Sequence, residues 1–246
     1  MSRKILGIQP VREAIRARAG DISRVFIQRE AGPTLEALGR HAVGQSIEVR
    51  EVDRGELDRM AAGGRHQGVI AEAAELSLTK LAALEVTENT LVAALDGVMD
   101  PQNFGAVVRS SVALGATAVM WPEHSSAPLS PSAFRASAGA IEHAILCRVR
   151  GLPEAIEELT GRGVTAVALD AQGPTELSEL DLVGPVAIVI GAEDKGVRKP
   201  VRRACQHTAR LPMTGPIGSL NASVAGALAL YEVQRQRAAR RRAAES

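Results

Sequence analysis

The chain is poor in aromatic residues, which make up only 2% of its 246 residues. There are five: Phe26, Phe104, Trp121, Phe134 and Tyr231. A core of this composition must be aliphatic, which suits Val- and Ile-rich strands covered by alanine-rich helices. Proteins that read single-stranded RNA by base stacking need several exposed aromatic side chains. The scattered aromatics therefore argue against a stacking platform.

Cysteines and long apolar runs are also scarce. Cys147 and Cys205 are too few for a disulfide framework or a zinc site, so we expect buried thiols in a reducing compartment. No apolar run approaches the ~20 residues that span a bilayer, and the first residues lack the apolar segment of a secretory signal. We expect a cytoplasmic protein that binds neither a membrane nor a metal.

The formal net charge is only +1, so overall electrostatics gives no sign of a nucleic-acid ligand. The charge is nevertheless uneven, because the last twelve residues hold five arginines and Glu245, a net +4 that leaves −3 for the rest. Two interpretations stay open. The basic tail is either a solvated helix end that complements the helix dipole or a contact for a polyanion.

The pattern along the chain predicts an α/β protein with two domains, each long enough to bury a core. Residues 1–74 predict a small domain of three helix–strand pairs: helices at 10–19, 33–43 and 53–62, and strands at 22–28, 46–52 and 67–73. Residues 75–90 are more polar and are expected to form a linker, with room for a short helix.

Longer strand–helix repeats predict a second domain over residues 91–246. Strands are expected at 91–98, 117–122, 144–149, 165–171, 185–191 and 207–212. Helices are expected at 102–114, near 132–138, from Pro153, around 199–206 and from about Leu220 to Arg241, with a loop over 124–132. Such alternation is typical of a parallel sheet with helices on both faces.

Three loops after predicted strands carry the candidate chemistry, since ligands of open parallel sheets bind beyond the carboxyl ends of the strands. In the first loop, Asn103 can cap a helix or bind a ligand, and Gly105 allows something to approach the first helical turn. Arg109 comes six positions after Asn103 and need not share its face of the helix. Helix N-termini also attract anions such as phosphate.

The second loop is GAEDKG at 191–196, where Glu193 can accept hydrogen bonds from hydroxyls. It is neither a phosphate-binding P-loop nor a dinucleotide fingerprint, because the spacings GxxxxGK[ST] and GxGxxG are missing. The third loop, residues 211–223, is restricted by proline and glycine. Ser219, Asn221 and Ser223 exceed the single cap that one helix start needs.

In this order the loops resemble the motifs of SpoU/TrmH-type RNA ribose 2′-O-methyltransferases of the SPOUT superfamily. Motif one matches Asn103, Gly105 and Arg109, motif two matches 190–193 and Gly196, and motif three matches 211–215 and 219–223. The run ASAGAIEH at 136–143 fits a stretch expected between motifs one and two. Residues 7–11 and 66–69 are similar to the L30e-like RNA-binding domain of the bacterial 23S rRNA guanosine-2′-O-methyltransferase branch.

The resemblance implies a C-terminal trefoil knot in the parallel sheet, a pocket for S-adenosylmethionine in that knot, and a homodimer with the active site at its interface. The implied cofactor contacts are Gly191, Leu211 and Leu220. The implied catalytic residues are Arg109, which would activate the ribose hydroxyl, and four residues that would orient Arg109, the ribose and the cofactor: Asn103, Glu193, Ser219 and Asn221. An arginine pKa of about 12 or above leaves open whether Arg109 is a base or a polarising group.

The implied reaction is methyl transfer from S-adenosylmethionine to a ribose 2′-hydroxyl of RNA, with a guanosine of 23S rRNA as the expected target. One alternative keeps the fold and changes the target to a tRNA guanosine or an rRNA adenosine, the latter as in antibiotic-resistance enzymes. The L30e-like region disfavours tRNA. Another alternative is a non-catalytic RNA-binding or ribosome-assembly protein, which the intact polar motif residues disfavour.

Overall fold

The computed structural model describes residues 2–124, 126 and 129–244, which fold around two β-sheets. The first sheet has the strand order β1-β4-β2-β3. Its strands are β1 (Ser2–Leu6), β2 (Ile22–Gln28), β3 (Glu48–Val52) and β4 (Val69–Ala74). Strand β4 runs antiparallel to β1 and β2, whereas β2 and β3 are parallel. This region is therefore a mixed sheet.

Three helices cover the first sheet: α1 (Ile8–Arg18), α2 (Pro33–Gly44) and α3 (Arg54–Ala61). Helices α1 and α2 pack on one face and α3 on the other. All three predicted helix–strand pairs are present, with shifted ends. Strand β1 is an addition to the prediction, because it is an edge strand in which only Ile5 is buried and so has no apolar pattern.

The second sheet is parallel throughout and has the order β7-β6-β5-β10-β8-β11-β9. Its strands are β5 (Leu91–Asp96), β6 (Ala118–Pro122), β7 (Leu146–Val149), β8 (Thr165–Leu169), β9 (Thr175–Glu176), β10 (Val186–Gly191) and β11 (His207–Arg210). The six predicted strands are confirmed. Strand β9 is too short to produce a periodic signal and was not predicted.

Helices cover both faces of this sheet, as predicted. One face carries α4 (Pro101–Ala113), α5 (Pro131–Ala136) and α8 (Ala222–Ala244), and the other carries α6 (Leu152–Gly161) and α7 (Lys199–Ala204). The predicted loop over 124–132 is shorter, because Pro131 already begins α5; its positions 125, 127 and 128 lie outside the described residues. Within the described ranges, no helix has both the length and the apolarity to cross a bilayer.

Helix α8 begins two residues later than predicted. The side chain of Asn221 accepts a hydrogen bond from the backbone N–H of Ser223 at 2.9 Å, and the Asn221 carbonyl accepts the first helical bond from Ala225. Asn221 is therefore the N-cap. Leu220 and Ser219 consequently lie in the preceding loop rather than in the helix.

The segment 75–90 is attached to the second sheet. The N–H of Thr79 donates to the carbonyl of Leu146 at 2.8 Å, and Leu81 and Leu84 are buried in the core on the α6–α7 face. The guanidinium of Arg162 donates to the carbonyls of both leucines. A short 3₁₀ helix occupies Leu81–Ala83, where the prediction left room for one.

Candidate active site

One side-chain amide joins the three loops at the carboxyl edge of the second sheet. Asn221, after β11, donates from Nδ2 to Oδ1 of Asn103 at 2.9 Å and to Oε2 of Glu193 at 3.3 Å. Asn103 follows β5 and Glu193 follows β10, and these two strands are neighbours in the sheet. The structure therefore brings one residue of each motif into contact. We call these three residues the amide cluster.

Helix capping does not compete with this role of Asn103. The N-cap of α4 is Asp100, whose carboxylate accepts from the backbone N–H of Gln102 at 3.1 Å and of Asn103 at 3.2 Å. The sequence left two roles open for Asn103, helix cap or ligand contact. Asp100 is the cap of α4, so Asn103 does not have the first role. The Asn103 side chain is thus available to the amide cluster.

The structure identifies the group that Gly105 allows to approach the first helical turn. A Cβ at this glycine would lie 2.4 Å from the carbonyl oxygen of Ala133 and 2.6 Å from the Cβ of Ala136. The group that approaches Gly105 is therefore helix α5, not a ligand. Its motif position reflects the close packing of α4 and α5.

A cavity of about 280 Å³ opens beside the amide cluster. Its lining includes all three expected cofactor contacts, Gly191, Leu211 and Leu220. Glu193 and Ser219 line it as well. The structure thus collects five of the eight expected site residues around one cavity, which we call the loop cavity.

The backbone at Gly191 leaves no space for a side chain. A Cβ there would lie 2.0 Å from the carbonyl carbon of Gly196 and 2.2 Å from the nitrogen of Val197. The turn closes through a hydrogen bond of 2.8 Å from the N–H of Gly196 to the carbonyl of Ala192. Gly191 therefore allows the turn that carries Glu193 to fold back onto the end of β10.

An ion pair that was not predicted from the sequence holds the other end of this turn. Asp96 is fully buried at the end of β5. Its carboxylate accepts from the backbone N–H and from Nε of Arg198, both at 2.7 Å. The only sequence signal is an acid that ends an otherwise apolar strand.

Burial and, secondarily, Asp96 raise the pKa of Cys205 to about 12, so this thiol is neutral at physiological pH.

Arg109 lies apart from the other expected catalytic residues. It is exposed on α4 and lines a separate cavity of about 390 Å³ between the two sheets. Gln9 and Glu13 of α1 line the same cavity, together with Ser137 and His143. Within one chain, Arg109 therefore does not share a cavity with Glu193 and Ser219. We call this space the junction cavity.

Comparison with known proteins assigns the chain to a family. Residues 90–231 match the SpoU rRNA Methylase family, and residues 4–79 match an RNA 2′-O ribose methyltransferase substrate-binding region. The chain belongs to the SpoU rRNA methylase family. The resemblance seen in the three motifs is thereby confirmed, and the protein is an RNA ribose 2′-O-methyltransferase whose methyl donor is S-adenosylmethionine.

Individual relatives support this membership over nearly the whole chain. A 23S rRNA (guanosine-2′-O-)-methyltransferase, RlmB of Pseudomonas putida, is 37% identical and covers 97% of this chain and 98% of its own. An uncharacterized tRNA/rRNA methyltransferase of Mycobacterium ulcerans is 38% identical, covering 95% of this chain and 77% of its own. The SpoU methyltransferase AviRb of Streptomyces viridochromogenes, solved with AdoMet, is 25% identical with a TM-score of 0.81, covering 97% of this chain and 91% of its own.

Proposed function

We propose that this protein methylates the ribose 2′-hydroxyl of a guanosine in 23S rRNA. The observation that carries the proposal is the amide cluster, a set of hydrogen-bonding side chains of which Glu193 lines the loop cavity. The identity of 37% with the Pseudomonas putida enzyme, over nearly the full length of both chains, supports the choice of target.

The loop cavity has the chemistry to hold S-adenosylmethionine. Leu211 and Leu220 offer apolar walls for a purine. Glu193, Lys195 and Asp170, which pairs with Arg202, line the same space, so acidic and basic partners are both present for the zwitterionic end of the cofactor. Gly191 lines this cavity and is partly exposed, so its backbone can contact a ligand there. Bound there, the cofactor supplies an electrophilic methyl group.

The remaining residues would act on the ribose. We propose that Asn103, Glu193, Ser219 and Asn221 orient the sugar so that its 2′-oxygen lies in line with the methyl group. Arg109 would polarise the hydroxyl and stabilise the negative charge that develops on oxygen as its proton leaves for solvent. A guanidinium stays protonated at physiological pH, which favours this role over that of a base.

A homodimer would bring Arg109 to the other residues. Val224, Leu228 and Tyr231 are 47%, 45% and 57% exposed, and their spacing places them along one stripe of α8. Leu220, which lines the loop cavity, is partly exposed next to this stripe. We propose that a second copy of the chain covers the stripe and contributes its Arg109, as the family resemblance implies.

We further propose the organisation expected from the sequence: an L30e-like RNA-binding domain at 1–74, a linker at 75–90 and a knotted SPOUT domain at 91–246. The separate cores of the two sheets support the division. The return of the chain from β11 to α8, which packs on α4 and β10, supports the knot. A cytoplasmic location follows from the proposed ribosomal RNA substrate.

Mass-spectrometric mapping of ribose methylation in 23S rRNA and tRNA from a deletion strain tests the target. We expect one 23S guanosine to lose its methyl group, and we expect the wild-type gene, but not an Arg109→Ala variant, to restore it. Loss at a tRNA position or at an rRNA adenosine would reassign the substrate. An unchanged map in every RNA would overturn the proposal.

A further inference from the structure

The segment 139–143 is part of the run 136–143, which fits the family but lies outside its three motifs, and it touches the first sheet. We call it the junction turn. Its Glu142 is only 1% exposed, and its two carboxylate oxygens accept hydrogen bonds from Nη1 and Nη2 of Arg3, both at 2.7 Å. A bidentate, charge-assisted pair of this kind is among the stronger polar contacts of proteins. It connects the second half of the chain to β1.

Two further contacts tie the junction turn to helix α1. The backbone carbonyl of Glu142 accepts a hydrogen bond from Nε of Arg18 at 2.8 Å. His143 Nε2 lies 3.0 Å from Oε2 of Glu13, in the middle of the same helix. The junction turn is therefore held to both β1 and α1 by hydrogen bonds that involve side chains of all three segments.

Gly139 allows α1 to approach this closely. Its φ is +88°, in the left-handed region that favours glycine. A Cβ at this position would lie 2.8 Å from the Cβ of Glu13 and 2.9 Å from the Cα of Pro10. Any larger residue would push α1 away from the second sheet.

The contact has a consequence for the reactive arginine. Gln9 and Glu13 of α1 form one wall of the junction cavity, and Arg109 lines the same cavity. The position of α1 therefore determines the space in front of Arg109. The hydrogen bonds that tie segment 75–90 to the rest of the described structure go to the second sheet and its helices, not to α1.

We propose that the junction turn is a latch that holds the substrate-binding region at a defined position beside Arg109. Glu142 is then a positioning residue for RNA and touches neither the cofactor nor the reacting atoms. The functional part of this inference rests on the proposed methylation of RNA. The structural part, that Arg3 and Glu142 hold the two sheets together, stands independently of it.

Arg3→Met, Glu142→Gln and the double variant test the latch in the full-length protein. The measurements are the KM for the RNA substrate, kcat, the Kd for S-adenosylmethionine, and hydrogen exchange of the α1 amides. Arg24→Met is the matched control, because Arg24 pairs with Glu48 within the first sheet and away from the junction. Gly139→Ala disturbs the contact between the junction turn and α1 through a steric clash. This variant replaces Arg3→Met if Arg3→Met does not fold.

We expect each single variant to raise the KM for RNA on the order of tenfold, the factor that corresponds to about 1.4 kcal/mol. The Kd for S-adenosylmethionine and kcat should change less than about twofold, and exchange in α1 should accelerate. The double variant should lose less than the sum of the two single losses, because both remove the same pair, although Arg3 also donates to the carbonyl of Ala74 and lies over the ring of Phe134. The control should match the wild type in all four measurements.

Additive effects, an equal loss in the control, or unchanged exchange in α1 would overturn the latch. A change in cofactor Kd as large as the change in KM would do the same, since it would indicate general destabilisation. Failure of the proposed function is distinguishable, because a wild-type protein that methylates no RNA leaves the exchange measurement intact. Accelerated exchange without methylation would support the contact and reject only its role in substrate positioning.

Discussion

The loop cavity and the junction cavity differ in how they are built. The loop cavity is made by segments that follow strands of one parallel sheet. Two hydrogen bonds from Asn221, to Asn103 and to Glu193, connect the loops beside it. The junction cavity lies between the two sheets, and Arg109 lines it together with residues of α1. The cavity proposed for the cofactor is thus determined by the topology of one sheet, whereas the surroundings of Arg109 depend on how the two sheets meet.

Replacing Arg109 gives the largest expected effect. Arg109→Ala should lower kcat at least about 10³-fold, because it removes the group proposed to stabilise the developing charge. The Kd for S-adenosylmethionine should stay unchanged, because Arg109 lies outside the loop cavity. Steady-state kinetics and calorimetry measure both, with Arg203→Ala on α7 as the control. Normal turnover by Arg109→Ala would remove it from the mechanism.

A substitution at Gly191 should produce the opposite pattern. Gly191→Val forces a side chain into the backbone of Gly196, and it should weaken S-adenosylmethionine binding on the order of 100-fold through overpacking of the turn. Gly161→Val at the end of α6, outside the three motifs, is the control, because a Cβ at Gly161 meets no atom within 4 Å. Calorimetric titration decides the outcome. Equal affinities of the two variants would show that the turn is not part of the cofactor site.

Mixing the Arg109→Ala and Gly191→Val proteins tests whether Arg109 acts across a dimer. In a mixed dimer, the Arg109→Ala chain keeps an intact loop cavity and the Gly191→Val chain keeps an intact Arg109. If Arg109 acts on the partner subunit, these two parts form one complete active site. Random exchange should then restore about a quarter of wild-type activity, as expected for a two-fold symmetric dimer. If Arg109 serves its own chain, mixing restores no activity. Size-exclusion chromatography with light scattering supplies the control for exchange.

Asn221 permits a smaller test, which separates folding from chemistry. Asn221→Ala should lower the free energy of unfolding by about 1 kcal/mol through loss of the α8 cap. Asn221→Asp keeps the capping oxygen but places a carboxylate beside Glu193, so it should stay stable yet lose activity. Denaturant unfolding and methylation rates measure the two effects. A fully active Asn221→Asp would show that the amide donor is dispensable.

The predictable part of the fold is the part with strong periodicity. The apolar runs of β5 and β10 indicated buried parallel strands, and both are buried on the two faces of the sheet. Strand β1 escaped prediction because an edge strand with one buried side chain has no pattern. The start of α8 was predicted too early because three polar residues compete for the cap, and only the backbone geometry selects Asn221.

Contacts between distant segments account for what the sequence did not reveal at the site. Asp96 and Arg198 are 102 positions apart, and no local pattern links a strand-terminal acid to an arginine after a polar turn. The same holds for Arg3 and Glu142, which are 139 positions apart. Side chains find such partners through the packing of whole elements, which a pattern with a period of two or 3.6 residues does not encode.

By itself, the sequence determined the alternation of strands and helices, the aliphatic core and the order of the three motifs. These follow from local periodicity and from residue chemistry. The tertiary structure decided that the amide of Asn221 joins Asn103 and Glu193, that α5 rather than a ligand meets Gly105, and that Arg109 faces the junction. The reason is geometric: a helix turns about 100° per residue, so Asn103 and Arg109 leave α4 in different directions and meet different neighbours.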